Sequence, residues 1–236
     1  MEKRNLLYDG TAKRIYATDD ENVLYVSYKD DATDYFGLKK SSIAGKGSIC
    51  NRVTNHLMEL LEANGVPTHF LAQLSDTDSL IKKARIIPLA VIVRNISAGA
   101  FAQRYGVEEG IVFDEPTIEL YLKNEALGDP LINTYHAVAL KLITHDEMET
   151  IQQMAFRINQ ILKNFFKSIK IRLVDFRLEF GYLPDGTLVL ADEISPDNCR
   201  FWDSETHFRL DKDRFRLDMG YVEEAYQEII TRITNA

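Results

Sequence analysis

The segment Leu173–Gly181 reads LVDFRLEFG, and after a short turn the segment Leu188–Asp203 reads LVLADEISPDNCRFWD. In the first segment, charged side chains occupy every second position, and phenylalanine or leucine fills the positions between them. A period of two places these two sets on opposite faces of a β-strand. One face therefore packs against a core, whereas the other presents a row of charges: Asp175, Arg177 and Glu179.

A hairpin is predicted to follow this strand. Pro184 presets φ in the turn, and Gly186 permits a positive φ there. The return strand brings Asp192 and Glu193 beside Glu179. Carboxylates gathered on a hairpin, with cations close by, indicate a Mg²⁺-nucleotide site. The alternative is an exposed hairpin with alternating charges, but the polar run after it holds the only tryptophan and is typical of loops that position functional groups.

Further segments extend this pattern over nearly the whole chain. Together with LVDFRLEFG they resemble the SAICAR synthetase family, which comprises ATP-dependent ligases of purine biosynthesis. Each segment is weak evidence by itself, but the order and spacing of the segments along the chain are specific to the family. They are YDGTAKRIY at 8–16, IAGKG at 43–47, IIPLAVIVRNISAG at 86–99, YLKNEALGDPLIN at 121–133, SPDNCRFWD at 195–203 and DKDRFR at 211–216.

Composition and charge argue against several classes of protein. With 236 residues, of which 45% are hydrophobic, the chain can bury the core of a globular enzyme. A net charge of −8 disfavours nonspecific binding to nucleic acid, and no apolar run approaches membrane-spanning length. Two cysteines and five scattered histidines provide neither a disulfide framework nor zinc-ligand spacing. Because the N-terminal residues also lack an apolar export signal, we expect a cytoplasmic protein.

The predicted elements fall into two unlike groups. Residues 6–28 predict short strands separated by turns, residues 49–63 predict a helix, and residues 86–93 predict a buried strand around Pro88. Helices are expected to dominate the remainder of the chain.

One of these helices begins at a capping box formed by Thr144 and Glu147, and another covers residues 221–233. We therefore predict an α+β protein. An N-terminal, mainly antiparallel β lobe covers residues 1–88, and a larger mixed α/β lobe covers residues 89–236. The resemblance implies a nucleotide cleft between the lobes.

The activity implied by the resemblance joins the carboxylate of an aminoimidazole ribotide (CAIR) to the amine of L-aspartate, with ATP converted to ADP and phosphate. Mg²⁺ and a set of Arg and Lys residues must offset the repulsion among these anions, and proximity supplies much of the rate. Two alternatives stay open, a small-molecule kinase that uses the same cleft and a non-catalytic nucleotide-binding module. The resemblance also allows a homodimer.

The resemblance assigns several residues to the nucleotide. Lys13 lies in a glycine-containing turn that is suited to cover phosphates. Lys123 is similar to a second lysine that lies near the phosphates in the family. The alternative interpretation is that Lys123 is a solvated residue at the end of a helix. Glu179 and Asp192 match the magnesium-linked acids of the family.

Other residues are assigned to the ribotide. Arg94 follows an apolar strand and precedes a turn of small residues, where a guanidinium can fork onto a phosphate. Arg200 assists it, while Asp175 and Arg177 address the ring and its carboxylate. With Lys13, Asp175 and Arg177 are the residues expected to act in catalysis.

Two further segments complete the expected site. A basic segment contributes Lys212 and Arg216 to the border of the substrate pocket, whereas Arg214 is better explained as a solvated charge. The loop at 43–47 is expected to be a mobile cover, with Asn51 at its base.

Four positions depart from the family pattern. Thr11 and Arg177 replace lysines, Ala90 replaces an acidic residue, and Ala100 replaces a serine that would donate a hydroxyl to the phosphate. Loss of one neutral donor costs about 0.5–1.5 kcal/mol, which alters a Michaelis constant without abolishing catalysis. An active ligase is therefore still expected.

Overall fold

Two antiparallel sheets organise the chain, in a computed structural model that describes residues 1–33 and 39–236. In chain order the strands are β1 (Leu6–Asp9), β2 (Lys13–Ala17), β3 (Val23–Tyr28), β4 (Asp31–Thr33), β5 (Lys40–Ser42), β6 (Phe70–Gln73), β7 (Asp78–Lys82), β8 (Arg85–Ile96), β9 (Val112–Leu122), β10 (Leu131–Ile132), β11 (Ile171–Tyr182), β12 (Leu188–Ala191) and β13 (Cys199–Asp203).

The helices pack around these sheets. They are α1 (Lys46–Ala63), α2 (Gly99–Tyr105), α3 (Thr134–Ala139), α4 (His145–Ser168), α5 (Asp213–Arg216) and α6 (Val222–Thr234), with a 3₁₀ turn at Glu125–Leu127. Among the described residues, no helix is both long enough and apolar enough to cross a membrane.

The first sheet has the strand order β1-β2-β3-β7-β6, and the second has the order β10-β9-β8-β11-β12, with β13 also paired to β11. Strands β4 and β5 form a separate ladder. The two large sheets meet where Thr68, just before β6, makes a parallel bridge to Leu190 of β12. The α+β prediction is confirmed.

Strand β11 lies at the centre of the second sheet and has the apolar face that its alternating sequence predicts. Phe176, Leu178 and Phe180 are at most 1% exposed and belong to the main core. Helix α4 packs against the same sheet through Ile158 and Leu162, which are fully buried. The hydrophobic effect of these apolar faces fixes the sheet on which the charged face of β11 is displayed.

Two predicted boundaries are also confirmed. Thr144 accepts a hydrogen bond from the Glu147 amide while the Glu147 side chain accepts from the Thr144 amide, so the capping box is present. The hairpin between β11 and β12 turns with Gly186 at a φ of 86°. A side chain at that φ would be strained, which explains the glycine.

One strand was not predicted, and one expectation for the fold is corrected. Helices contribute more residues than strands after residue 93, as expected, but β9 lies between β8 and β10 in the six-stranded sheet. Strand β9 was missed because most of its residues are exposed or half-buried, so its apolar periodicity is weak. The segment at 43–47 is not simply a loose cover, because Lys46 and Gly47 begin α1 and Lys46 is fully buried.

The division into lobes at residue 88 remains a proposal. Strand β7 of the first sheet ends at Lys82, and β8 of the second sheet begins at Arg85. The connection between the sheets is therefore the short segment 83–84, and Pro88 lies inside β8.

Candidate active site

A cleft of about 650 Å³ lies between the two sheets. Its inner wall is apolar and comes from the first sheet and α1, with Ile15, Val26, Met58, Phe70 and Ile81 among its residues. Its other end is charged and is formed by residues of β2 and β11 and by segments that follow β9 and β12 and precede β10 and α5. The charged residues there are Lys13, Lys123, Asp129, Arg177, Glu179, Asp192, Glu193, Asp197 and Lys212. A flat apolar group and a polyanionic group would therefore find complementary surfaces at opposite ends of this cleft.

Lys13 joins the two sheets at the charged end. It begins β2, and its Nζ pairs with Asp192 and, at 3.1 Å, with Glu193 Oε1. Burial disfavours the ammonium, but the two carboxylates outweigh this effect and raise the pKa of Lys13 well above its usual range. Burial likewise opposes ionisation of Asp192, yet the charge of Lys13 lowers the pKa of this carboxyl. Both groups are charged at neutral pH.

Glu179 forms a second charged group on β11. Its side chain pairs with Lys123, and its Oε1 accepts from Arg177 Nη2 at 2.7 Å. Burial disfavours the Arg177 charge, but Glu179 outweighs it and raises the pKa of the guanidinium. Lys123 follows β9, so the alternative of a solvated helix end is wrong.

The carboxylates fit a divalent cation that is shared with a ligand. Glu179 and Asp192 both line the cleft, and the strand register places Glu179 opposite Ala191, next to Asp192. Within residues 1–33 and 39–236, no group of three or more potential ligands from His, Cys, Asp and Glu could hold a metal alone. Mg²⁺ typically binds one or two carboxylates and takes its other ligands from phosphates and water. Two carboxylates beside cationic side chains match that donor set.

His69 also lines the cleft, and sequence analysis assigned it no role. Its Nε2 lies 3.0 Å from the backbone oxygen of Asp192. Because a carbonyl oxygen only accepts, Nε2 carries the proton. Burial, followed by the charge of Lys13, lowers the pKa of His69 to about 4, so the ring is neutral at pH 7. In the sequence, the only signal for His69 was its position between Pro67 and the strand β6.

Arg94 lies at the centre of a second, buried cluster beside the cleft. Its Nη2 donates to Glu119 Oε2 at 2.9 Å, and its Nη1 donates to Asp175 and, at 3.1 Å, to the Ala98 oxygen. Its Nε finds no partner among the described residues. Arg94 is only 3% exposed, so its charge is held by protein carboxylates rather than by solvent.

Arg200 completes this cluster from β13. Its Nη1 donates to Asp175 at 2.9 Å, and its Nε donates to Asp213 at 2.7 Å. The same Asp213 accepts from Arg216 at 2.8 Å. At Gly99, which opens α2, a Cβ would collide with the Arg200 guanidinium, so glycine allows the close approach of this turn.

Arg214 corrects one expectation. It is 4% exposed, and its guanidinium donates to the backbone oxygens of Met219 and Gly220 at 3.0 and 2.6 Å. It is therefore a buried link between α5 and the start of α6, not a solvated charge.

Asp197 is the centre of a third cluster that sequence analysis missed. Its Oδ2 accepts from Lys46 at 2.9 Å and from Lys212 at 3.2 Å, and its Oδ1 accepts from the Tyr226 hydroxyl at 2.7 Å. Burial opposes ionisation, but Lys46 and Lys212 hold the pKa of Asp197 below its usual range. Lys46 lies in α1, Lys212 directly precedes α5, and Tyr226 lies in α6. No local spacing in the sequence therefore indicates these partners.

The remaining predicted residues are placed as follows. Thr11 lines the cleft, Ala90 is fully buried in β8 opposite Glu179, and Ala100 is exposed in the first turn of α2. Asn51 is buried in α1, where its side chain donates to the backbone oxygens of Ser75 and Asp76.

Comparison with known proteins agrees with this architecture. The profile of a family described as SAICAR synthetase matches residues 6–233. A phosphoribosylaminoimidazole-succinocarboxamide synthase from Coprothermobacter proteolyticus is 56% identical over 233 residues, which cover 99% of each chain. The likeness therefore extends over the whole chain, and includes both sheets and the cleft between them.

Solved structures give the same result. The crystal structure of a phosphoribosylaminoimidazole-succinocarboxamide synthase from Ehrlichia chaffeensis matches with a TM-score of 0.96 at 40% identity and covers 98% of each chain. A SAICAR synthetase in complex with ADP matches with a TM-score of 0.95 at 44% identity, again over 98% of each chain. Fold and cleft thus define a nucleotide-using ligase architecture. The chain belongs to the SAICAR synthetase family.

Proposed function

We propose that this chain is the ATP-dependent ligase that joins the carboxylate of CAIR to the amine of L-aspartate, giving SAICAR, ADP and phosphate in de novo purine biosynthesis. One observation carries the proposal. One cleft has both an apolar wall and a charged end. The charged end gathers Lys13, Lys123 and Arg177 around Glu179 and Asp192. The chain that forms this cleft matches the family over its whole length.

The nucleotide accounts for the two ends of the cleft. Its base fits the apolar wall near Met58 and Phe70, and its phosphates extend toward Lys13 and Lys123. Glu179 and Asp192 would hold Mg²⁺ together with those phosphates; bound there, the ion neutralises phosphate charge. The solved relative that contains ADP supports nucleotide use.

The ribotide is proposed to lie beside the nucleotide, next to the Arg94 cluster. Arg94 keeps one buried donor, Nε, without a partner in the described chain, which gives an anionic ligand a hydrogen bond to accept. Arg200 lies against the Gly99 turn and adds a second guanidinium. Arg216 and Lys212 border the same region through Asp213 and Asp197.

Chemistry at this site begins at the CAIR carboxylate, which is a poor electrophile. One of its oxygens attacks the γ-phosphorus of ATP and ADP leaves, so that the carboxyl carbon carries a phosphate leaving group. The aspartate amine then attacks this carbon, loses a proton and expels phosphate. Arg177 and Asp175 position the ribotide, and Lys13 stabilises the charge on the transferred phosphoryl group.

We further propose an assembly and a location for the protein. A cytoplasmic homodimer is consistent with the family, and the net charge of −8 supports small-molecule partners rather than nucleic acid.

The test is ADP release by the purified protein, with CAIR and aspartate omitted in turn and SAICAR followed by mass spectrometry. A ligase forms SAICAR only when all three substrates are present. A kinase would release ADP without aspartate and leave a stable phosphorylated product. A non-catalytic module would bind ATP but release no ADP.

A further inference from the structure

His69 is fixed to the strand that leads into Asp192. Leu190 of β12 donates its amide to the Pro67 oxygen and accepts from the His69 amide, both at 2.9 Å. Residues 67–69 therefore run beside β12 as a short parallel extension of the second sheet. This backbone pairing sets the position from which the imidazole reaches the end of β12.

Asp192 leaves β12 with an unusual backbone. Its φ is 62°, in the left-handed region that aspartate tolerates better than most residues but does not prefer. This turn directs its carboxylate to Lys13 in the other sheet. The hydrogen bond from His69 Nε2 reaches the backbone oxygen of this same residue at 3.0 Å. It therefore acts on the peptide whose orientation aims the carboxylate.

We propose that His69 is a positioning residue, which acts through the backbone of Asp192 to keep its carboxylate directed at the metal-nucleotide region. This inference rests on the proposed function, because it takes Asp192 as a holder of Mg²⁺. Without the imidazole donor, the backbone oxygen of Asp192 loses this hydrogen bond, and the carboxylate is held less firmly in its position next to Glu179. Groups that orient metal ligands by hydrogen bonds typically contribute 10–100-fold to metal affinity.

A purely structural role for His69 predicts something different. His69 is 6% exposed and packs where the two sheets meet, so its loss could lower stability alone. The two roles are separated by matched variants. His69→Gln keeps an amide donor at nearly the distance of Nε2, and His69→Leu fills similar volume without a donor. In His69→Asn the amide is too short to reach, so this variant is a second test if His69→Leu does not fold.

The experiment is calorimetric titration of ADP into the wild type and each variant, with Mg²⁺ and with EDTA. We expect Mg²⁺ to strengthen ADP binding in the wild type. We expect His69→Leu and His69→Asn to lose about tenfold or more of that enhancement. His69→Gln should retain most of it. Because the affinity of each protein with Mg²⁺ is divided by its own affinity in EDTA, a direct effect of the changed cleft wall on ADP cancels. Thermal unfolding without Mg²⁺ verifies that each variant is folded.

Three results would overturn the inference. If folded His69→Leu or His69→Asn keeps the full Mg²⁺ enhancement, His69 does not position Asp192, while the proposed function stands. If His69→Gln is as defective as His69→Leu, the hydrogen bond is not the cause. If the wild type shows no Mg²⁺ enhancement, the metal assignment fails and the inference fails with it.

Discussion

Lys13 and Asp192 form an ion pair that connects the start of β2 in one sheet with the residue after β12 in the other. Glu193 adds a second carboxylate at 3.1 Å from the same Nζ. One ammonium thus pairs with two neighbouring acids at the charged end of the cleft. Under the proposed function, the nucleotide phosphates would contact Lys13 and Asp192 would hold the cation.

We expect Asp192→Asn and Glu179→Gln each to reduce turnover by at least about 100-fold, because a carboxylate ligand supplies several kcal/mol and each 1.36 kcal/mol is tenfold. Steady-state ADP release measures this effect. The matched control is Asp185→Asn, which makes the same change in the exposed turn of the same hairpin and preserves the oxygen that accepts from Thr187. Turnover near the parent level in both site variants would remove these acids from the mechanism.

Arg94→Lys should weaken CAIR binding far more than ADP binding. Lysine keeps the charge, but it lacks the two guanidinium Nη atoms that contact Asp175 and Glu119. It also lacks the Nε atom, which has no partner in the described chain. Because buried acceptors lose donors, we also expect a decrease of about 1–3 kcal/mol in the free energy of unfolding. Calorimetry with each ligand and urea unfolding separate the two effects. Equal weakening for CAIR and ADP would contradict the assignment.

Lys46→Met and Lys212→Met make the same substitution around one carboxylate, Asp197, and should differ in outcome. Lys46 is fully buried, so its loss should lower the free energy of unfolding by about 1–3 kcal/mol. Lys212 lines the cleft, so its loss should mainly raise the Michaelis constants for CAIR or aspartate. Urea unfolding and kinetics on both variants test this contrast, which would be wrong if the two profiles were the same.

The two thiols should resist alkylation in the folded protein. Cys50 and Cys199 are buried, and burial, followed by nearby carboxylates, raises both pKa values well above 9. Because only the thiolate reacts, increasing the pH from 7 to 9 should accelerate modification far less than for an unfolded chain. Mass spectrometry after iodoacetamide treatment, with a urea-unfolded control, measures the rate. Rapid modification of the native protein at pH 8 would contradict the buried geometry.

Local patterns allowed the central hairpin to be predicted, whereas partners that are distant in sequence could not be. The period of two across Asp175, Arg177 and Glu179 gave both the strand and its charged face, since alternation depends only on adjacent residues. The pairing of Lys46 with Asp197 joins positions 151 residues apart, and neither residue carries a local signal for it.

The same limit applies to the ribotide residues. The sequence placed Arg94 at a strand end, but it could not show that Glu119 and Asp175 already neutralise this guanidinium. Those contacts arise from the register of β8 between β9 and β11, which is a property of the assembled sheet. Strand β9 itself was missed because its residues are mostly half-buried or exposed and gave little apolar periodicity.

The central claim is that ATP activates the CAIR carboxylate, and the most direct measurement follows oxygen from that group. CAIR labelled with ¹⁸O in both carboxylate oxygens is incubated with ATP, Mg²⁺, aspartate and the protein, and the phosphate is analysed by mass spectrometry. If a carboxylate oxygen attacks the γ-phosphorus, each SAICAR formed should be accompanied by one phosphate that contains one ¹⁸O. The other labelled oxygen stays in the amide. Phosphate without ¹⁸O, released in step with SAICAR, would contradict the account.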